Sequence, residues 1–239
     1  MTLFGVSSEV GGKLRWEAGL PGKAEHFPVI AWMERQARGA GVKIELGRAA
    51  TASDILAINP DTVAVATGAH QRRPNDFIGD GVSARDWEAR SNNGRVDATA
   101  VLFDMDHSAA TYAVADALAR DYRRLVLLTP RQQIARNVNY CSAIGIHRRL
   151  YETNAEIVLS AEPVSFRGGR LTWRNVFTGR TQGLNDVGVF VWSTPRVADD
   201  AIAKQLYDIG IDTRLIGDCM APRNLLCAIH EGEAAALAL

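Results

Sequence analysis

The chain has 239 residues, 47% hydrophobic and 23% charged, with 27 basic and 27 acidic side chains and no formal net charge. That composition suits one large or two small folded domains and excludes a mainly disordered chain. The charge balance gives no field to draw nucleic acid or anionic lipid, and no apolar run reaches the roughly 18 residues of a membrane span. Three scattered cysteines, Cys141, Cys219 and Cys227, are too few for a disulfide framework or a closed zinc site. A soluble, cytoplasmic α/β protein is expected, with no nucleic-acid or membrane partner.

Thr2 to Phe4 reads as a short strand entering a loop that reaches Gly11-Gly12. Phe27, Ile30, Met33 and Ala37 recur at helical spacing, and Gly39 to Gly41 supplies a stop. Val42 to Leu46 alternates as a half-buried strand, Ser53-Asp54 caps a short turn, and Thr62 to Ala66 is a buried strand ending at Thr67-Gly68. Residues 70–97, with Arg72, Arg73, Pro74, Gly79, Gly81, Asn92, Asn93 and Gly94, read as a surface crossover between domains.

A β-α-β unit follows: strand Ala100 to Phe103, helix Ala109 to Arg120, strand Arg124 to Thr129. Apolar runs without internal charges predict parallel strands covered on both faces. Ile144 to Tyr151 is read as a helix. Glu156 to Leu159, Pro163 to Arg167, Arg170 to Asn175 and Thr181 to Leu184 are read as short strands, with a turn at Gly168-Gly169. Gly188 to Trp192 is a buried strand, Ala198 to Ile209 a helix, Thr213 to Ile216 a strand and Leu225 to Leu239 an Ala-rich helix. Residues 62–69 and 187–196 echo each other, each a strand leading to a threonine, Thr67 or Thr194, and a turn; the echo suggests two turns delivered to one ligand.

Three turns could carry chemistry. Ile216-Gly217-Asp218 ends a buried strand, where open α/β sheets hold ligands: the glycine admits close approach and the carboxylate can accept a hydroxyl hydrogen bond. Gly-Asp is equally a plain turn with Asp218 as a helix cap. Thr67-Gly68-Ala69 could let a nucleotide pass closely, or simply turn the chain. Gly11-Gly12, followed by Lys13 and Leu14, could present N–H groups to a phosphate, or make a loop.

Their order, with Leu20-Pro21-Gly22-Lys23 after the first, the run Gly217-Asp218-Cys219-Met220-Ala221-Pro222-Arg223 and then Ala228-Ile229-His230-Glu231-Gly232, resembles the C-terminal nucleotide-binding half of the trimethylamine, dimethylamine and histamine dehydrogenase and 2,4-dienoyl-CoA reductase flavoenzyme group. The resemblance implies an α/β fold of two Rossmann-like three-layer nucleotide-binding domains, the second inserted in the first. Residues 1–75 and 185–239 would form an FAD- or ADP-binding-like domain lacking its first β-α unit, and 97–184 an inserted NAD(P)-binding-like domain. It implies FAD or ADP as cofactor, held by Gly11, Gly12, Lys13, Leu14, Thr67, Gly68, Ala69, Gly217, Asp218, Ala221 and Ile229. Partners would be further copies of the chain or a barrel-containing flavin and iron–sulfur subunit, and the chain would carry no catalytic residue of its own.

The departures matter as much. The family's first Gly-x-Gly-x-x-Gly turn is absent, because the chain begins where the family's second strand would stand, and Gly5 occupies the position of a ribose-binding acid. In the inserted domain, Asp104 and Asp106 lie where a pyrophosphate would land. At roughly 6 Å and an effective dielectric near 20, each like-charge pair costs about 2 to 3 kcal/mol, so NAD(P) binding is not expected. Pro195, where the family has a glycine after its strand, narrows any approach. These departures support a second reading, a scaffold or interaction protein that keeps the fold without the cofactor.

The remaining polar residues have plainer readings. His26, His70, His107, His147 and His230 show no metal-ligand spacing. Cys219 lacks a visible base. The pairs Arg72-Arg73, Arg123-Arg124 and Arg148-Arg149 read as solvated faces, and the five tryptophans as packing or interface anchors.

Overall fold

Strands that run without charge through Val101-Leu102-Phe103 and Leu125 to Leu128 need cover on both faces, and they have it: each of these residues is at most 2% exposed. The computed structural model describes residues 1–87 and 95–238. It separates into two compact units, one of Met1–Gly19, Ala24–His70 and Arg196–Leu239, the other of Leu20–Lys23 and Gln71–Pro195.

The second unit is built on a five-stranded, all-parallel sheet in the order Val82–Ser83, Val187–Ser193, Val96–Asp104, Tyr122–Leu128, Glu156–Val158. Helix Ala109–Asp121 connects the third and fourth of these, and its small residues Ala113, Ala115, Ala117 and Ala119 are buried, which lets it lie close to the sheet. Helix Tyr140–Glu152 buries Ile146 and Leu150. A second sheet, in the order Thr181–Leu184, Arg170–Asn175, Ala161–Arg167, Ile78–Gly79, shares an apolar core with the first. Phe190 is the centre of that core, fully buried, with ring centroids of Phe77, Trp192 and Phe166 at 4.7, 6.2 and 6.3 Å.

In the first unit, Thr2–Gly5 pairs in parallel with Lys43–Leu46, and Val63–Val65 pairs in parallel with Thr213–Leu215. Its core is small: Ile55, Val65, Ala203, Leu206 and Cys219. Helix His26–Gly39 buries only Ile30, and helix Leu225–Leu237 buries none of its residues.

The structure corrects four local expectations. The stretch 70–97 is not simply a surface crossover: Ile78–Gly79 and Val82–Ser83 each extend a sheet, and Phe77, Ala84 and Trp87 are buried. Gly79 is required there, because a Cβ would fall 1.9 Å from the Phe166 carbonyl oxygen. Asn92, Asn93 and Gly94 lie outside the described residues. The cap near residue 53 is Thr51, whose hydroxyl accepts from the Asp54 N–H while the Asp54 carboxylate accepts from the Thr51 N–H, a capping box that starts helix Ala52–Leu56. The helix expected from residue 198 starts later, at Ala201, because Arg196–Ala198 is a strand. The helix expected from Ile144 begins at Tyr140, where the Asn139 side chain caps it by accepting from the Ser142 N–H.

Replacing Phe190 with alanine should cost about 3–5 kcal/mol in urea denaturation, because a fully buried ring at a four-ring contact leaves a cavity. Trp32→Ala, at a site 54% exposed, should change stability by less than about 0.5 kcal/mol. Equal effects of the two would contradict this placement of the core.

Candidate functional site

The strand Thr213–Leu215 hands the chain to Gly217, whose φ of +64° starts the tight turn Gly217–Cys219. A side chain here would be strained, and its Cβ would sit 3.5 Å from that of Ala228. The Gly217 N–H donates to Glu231 Oε2 at 2.7 Å, tying the turn to helix Leu225–Leu237. Asp218 Oδ1 accepts from the Arg223 N–H at 2.8 Å. Its Oδ2 accepts from Arg196 Nη1 and lies 3.6 Å from Lys13 Nζ. Arg196 Nη2 donates to the Arg223 carbonyl at 2.7 Å, and Arg223 Nη2 donates to Glu231 Oε1. Lys13 also lies 3.6 Å from Glu17. Three cations thus interlock with three carboxylates around one glycine turn. Asp218 and Arg196 are only 16% and 12% exposed, which makes their pairing stronger than that of a surface bridge.

Two of the other predicted turns join this one. Lys13 belongs to helix Gly12–Ala18, which starts from Gly11 and Gly12 at φ +107° and +48°. Gly11 packs on Ile30, whereas nothing lies within 4 Å of a Cβ built at Gly12. Thr67 Oγ1 donates to the Asp199 carbonyl and lies 3.1 Å from Cys219 Sγ, which donates to the same carbonyl at 3.1 Å. The Asp199 N–H returns to the Gly68 carbonyl at 2.9 Å, and Gly68 (φ +83°) is open on the side where a Cβ would stand. Lys13, Thr67, Gly68, Gly217 and Asp218 are therefore linked directly or through one residue. The Ala221 N–H bonds to the Gly217 carbonyl at 3.1 Å and joins them. Leu14 is half-buried on the helix of Lys13, Ala69 follows Gly68 in a short strand, and Ile229 is exposed on the last helix; none is tied to Asp218 by a hydrogen bond. Gly5 is closed off, since a Cβ there would meet Leu46 Cδ2 at 2.8 Å.

Arg196 and Arg223 are the site residues that the sequence reading missed. Arg196 lies 22 positions from its carboxylate, a separation that carries no local signal. Arg223 was visible within the Gly-Asp-x-x-Ala-Pro-Arg run, but its partner Glu231 emerges only from the fold. The echo between residues 62–69 and 187–196 places Thr67 in the first unit and Thr194 in the second. Thr194 is 2% exposed, and its hydroxyl donates to the Arg72 carbonyl. Cys219 is 1% exposed and wholly engaged, a packing residue.

In the second unit, the turn after Val96–Asp104 differs from the expected pair of outward carboxylates. Asp104 is fully buried. It accepts from Tyr112 Oη at 2.5 Å and from the His107 N–H at 2.8 Å, and lies 3.2 Å from His107 Nδ1. Burial pushes the Asp104 carboxyl up to about 6, against the pull of those hydrogen bonds. Burial, then Arg131 and Arg136, push His107 down to about 4, so the imidazole is neutral at pH 7. Tyr112 Oη also accepts from the Ala135 N–H, pinning the segment after Tyr122–Leu128 over the turn. The expected pair of outward carboxylates is therefore reduced to one: Asp104 is a buried structural acid, and Asp106 alone is partly exposed.

The remaining basic pairs are mostly engaged on the surface. Arg123 bridges Asp97 and Asp186, Arg124 pairs with Glu156, Arg148 with Glu152 and Arg149 with Asp116. Among the described residues, no group of three or more His, Cys, Asp or Glu is placed to hold a metal ion, and no helix is long and apolar enough to cross a membrane.

No protein-family model matches the chain. It is 27% identical over 163 residues to a probable N-methylproline demethylase of Rhizobium meliloti (strain 1021), covering 66% of this chain and 23% of that protein. It is 24% identical over 262 residues to an NADH oxidase of Thermoanaerobacter brockii, covering 96% of this chain and 36% of that protein. The chain thus spans about a quarter to a third of these relatives. Among solved structures, it superposes over its full length on histamine dehydrogenase from Rhizobium sp. 4-9, with a TM-score of 0.82, 23% identity and 38% of that chain covered. Lactococcus lactis thioredoxin reductase gives a TM-score of 0.66 at 16% identity, covering 99% of this chain and 88% of the reductase. The fold is therefore a Rossmann-like α/β fold with parallel sheets, shared with histamine dehydrogenase and thioredoxin reductase.

The Asp104 network makes a prediction with a definite sign. A raised carboxyl pKa lowers stability as pH rises from about 4 to 6, whereas the lowered His107 pKa lowers stability as pH falls from about 6.5 to 4, so the two oppose each other in the overlap. Asp104→Asn removes the first contribution and keeps a hydrogen-bond acceptor. Urea denaturation should find the variant's stability relative to the parent higher at pH 8 than at pH 4 by about 1–3 kcal/mol. A pH-independent difference would contradict the buried-carboxylate reading.

Proposed function

We propose that this chain is the FAD- or ADP-binding part of a flavin-dependent oxidoreductase of the amine dehydrogenase and enoate reductase group, acting with a separate part that holds an FMN and iron–sulfur barrel. The observation that carries the reading is the convergence, in one unit, of the Gly11-Gly12-Lys13, Thr67-Gly68 and Gly217-Asp218 turns, joined by the Lys13–Asp218 and Thr67–Cys219 contacts. In this reading, the unit of Met1–Gly19, Ala24–His70 and Arg196–Leu239 is the cofactor domain and that of Gln71–Pro195 the inserted NAD(P)-binding-like domain, so the strand Val187–Ser193 goes with the inserted domain and not, as the bounds 1–75, 185–239 and 97–184 place it, with the cofactor domain.

The residues present fit a nucleotide. Positive-φ glycines at 12 and 68 leave the space that a Cβ would narrow, so backbone can approach a ligand. Lys13 supplies a half-exposed cation for a phosphate, and Asp218 an acceptor for a sugar hydroxyl, each carboxylate oxygen having two lone pairs. Gly11, Gly12, Lys13 and Leu14 would line one side, Thr67, Gly68 and Ala69 another, and Gly217, Asp218, Ala221 and Ile229 the third. Bound FAD would supply electron transfer, whereas ADP would be redox-silent. The chain's own residues bind and orient; none is placed as a proton donor or nucleophile. NAD(P) stays outside the proposal, because Asp106 and the segment pinned by Tyr112 occupy the turn where it would sit.

The scaffold reading keeps one specific observation in its favour: both Asp218 oxygens are already engaged by Arg196 and by the Arg223 N–H. The same fact alters the expected behaviour of Asp218→Ala. That change would strand Arg196 in a partly buried site and lower stability by about 1–3 kcal/mol, so it does not isolate binding.

Lys13→Ala and Asp218→Asn are the cleaner pair. Calorimetric titration of FAD and ADP should show affinity reduced about three- to tenfold in each variant, with melting temperatures within a few degrees of the parent. Absence of binding by the parent, or equal binding by parent and both variants, would overturn the proposal.

A further inference from the structure

The parallel sheet of the second unit reverses its direction of growth beside Val96–Asp104. From that strand the chain proceeds to Tyr122–Leu128 and Glu156–Val158 on one side, while Val187–Ser193 pairs on the other. A reversal of this kind opens a crevice at the carboxyl ends of the two strands, where the connections leave in opposite directions. A cleft of about 90 Å³ lies at that place, lined by Phe103 and Met105 from one strand end, Thr194 and Pro195 from the other, and Arg72 and Arg73. It opens to solvent and has room for a carboxylate or phosphate group.

The two arginines are held differently. Arg73 donates to the Gly79 carbonyl, and its guanidinium lies 5.2 Å from the Phe77 ring and 5.8 Å from the Trp192 ring, so its direction is fixed by the aromatic core. Arg72 is fixed through its backbone: its carbonyl accepts from the Thr194 hydroxyl and its N–H reaches the Pro195 carbonyl at 3.5 Å. The Arg72 guanidinium has no hydrogen-bond or carboxylate partner among the described residues. The one acid in the lining, Glu162, is taken by Arg174 at 2.6 Å. The cleft therefore carries uncompensated positive charge on walls of mixed polarity. The surface pairs Arg123-Arg124 and Arg148-Arg149 in this unit meet carboxylates; Arg72-Arg73, also exposed, meets none among the described residues.

We propose that this cleft binds a small anion, a carboxylate or phosphate group, with Arg72 as the free ligating cation and Arg73 as a pre-positioned second charge. The site lies wholly in the second unit and does not depend on the cofactor reading of the first.

The test uses the whole chain as parent, Arg72→Gln and, as a remote control, Arg148→Gln. Melting temperatures are compared in sodium phosphate, sodium acetate and sodium chloride at equal ionic strength. Phosphate or acetate should raise the melting temperature of the parent and of Arg148→Gln above the chloride value, and Arg72→Gln should lose at least three-quarters of that rise. Arg72→Gln keeps both backbone bonds, so its melting temperature in chloride should match the parent's. A separate ADP arm distinguishes the source of the anion: an ADP shift that disappears in Arg72→Gln assigns the cleft to a nucleotide phosphate, and one that persists, with the phosphate or acetate shift lost, assigns it to a free anion. No rise over chloride in the parent, or an equal rise in Arg72→Gln, overturns the proposal.

Discussion

Asp218 sits at the end of a short parallel strand with little water around it, and a carboxylate in that position must be compensated by charges and donors from elsewhere in the chain. Lys13, Arg196 and the Arg223 N–H supply that compensation, the first two from segments distant in sequence and the third from the same turn. The same charges define the shape of the glycine turns around them. Loss of Arg196 would leave the partly buried Asp218 without its strongest complement, in a unit whose apolar core has only a few fully buried residues.

The second unit rests on a different constraint. Its central parallel strands are buried on both faces, and the aromatic cluster around Phe190 joins them to the second, mixed sheet. Asp104 is buried on the face of its strand opposite Val101 and Phe103, held by Tyr112 and the His107 backbone instead of by a cation. Two acids at the ends of parallel strands, Asp104 and Asp218, thus have opposite fates. The first is a buried acid held by neutral hydrogen-bond donors, and the second is an ion surrounded by countercharge.

What could be read in advance follows from these causes. Runs such as Val101-Leu102-Phe103 and the helix Ala109–Asp121 were legible because burial on both faces leaves no charges in the pattern. The turns at Gly11-Gly12, Thr67-Gly68 and Gly217 were legible because glycine and small residues mark positive φ and close approach. Arg196 was not, since a charge pair 22 residues apart has no periodicity. Ile78–Gly79 and Val82–Ser83 were not, since two-residue strands are too short to alternate. Asp104 was misread because sequence shows a carboxylate at a strand end but not which way it turns, and the inward choice depends on a tyrosine one helical turn into Ala109–Asp121.

We propose that the three turns of the first unit hold a nucleotide. The most direct measurement is to denature the purified protein and identify the released small molecules by chromatography and mass spectrometry. Release of FAD or ADP in near-stoichiometric amount is the predicted result, with FAD indicating an electron-transfer module and ADP a structural nucleotide site. Release of neither, together with no rise in melting temperature when either is added to the intact protein, would contradict the account and leave the scaffold reading in its place.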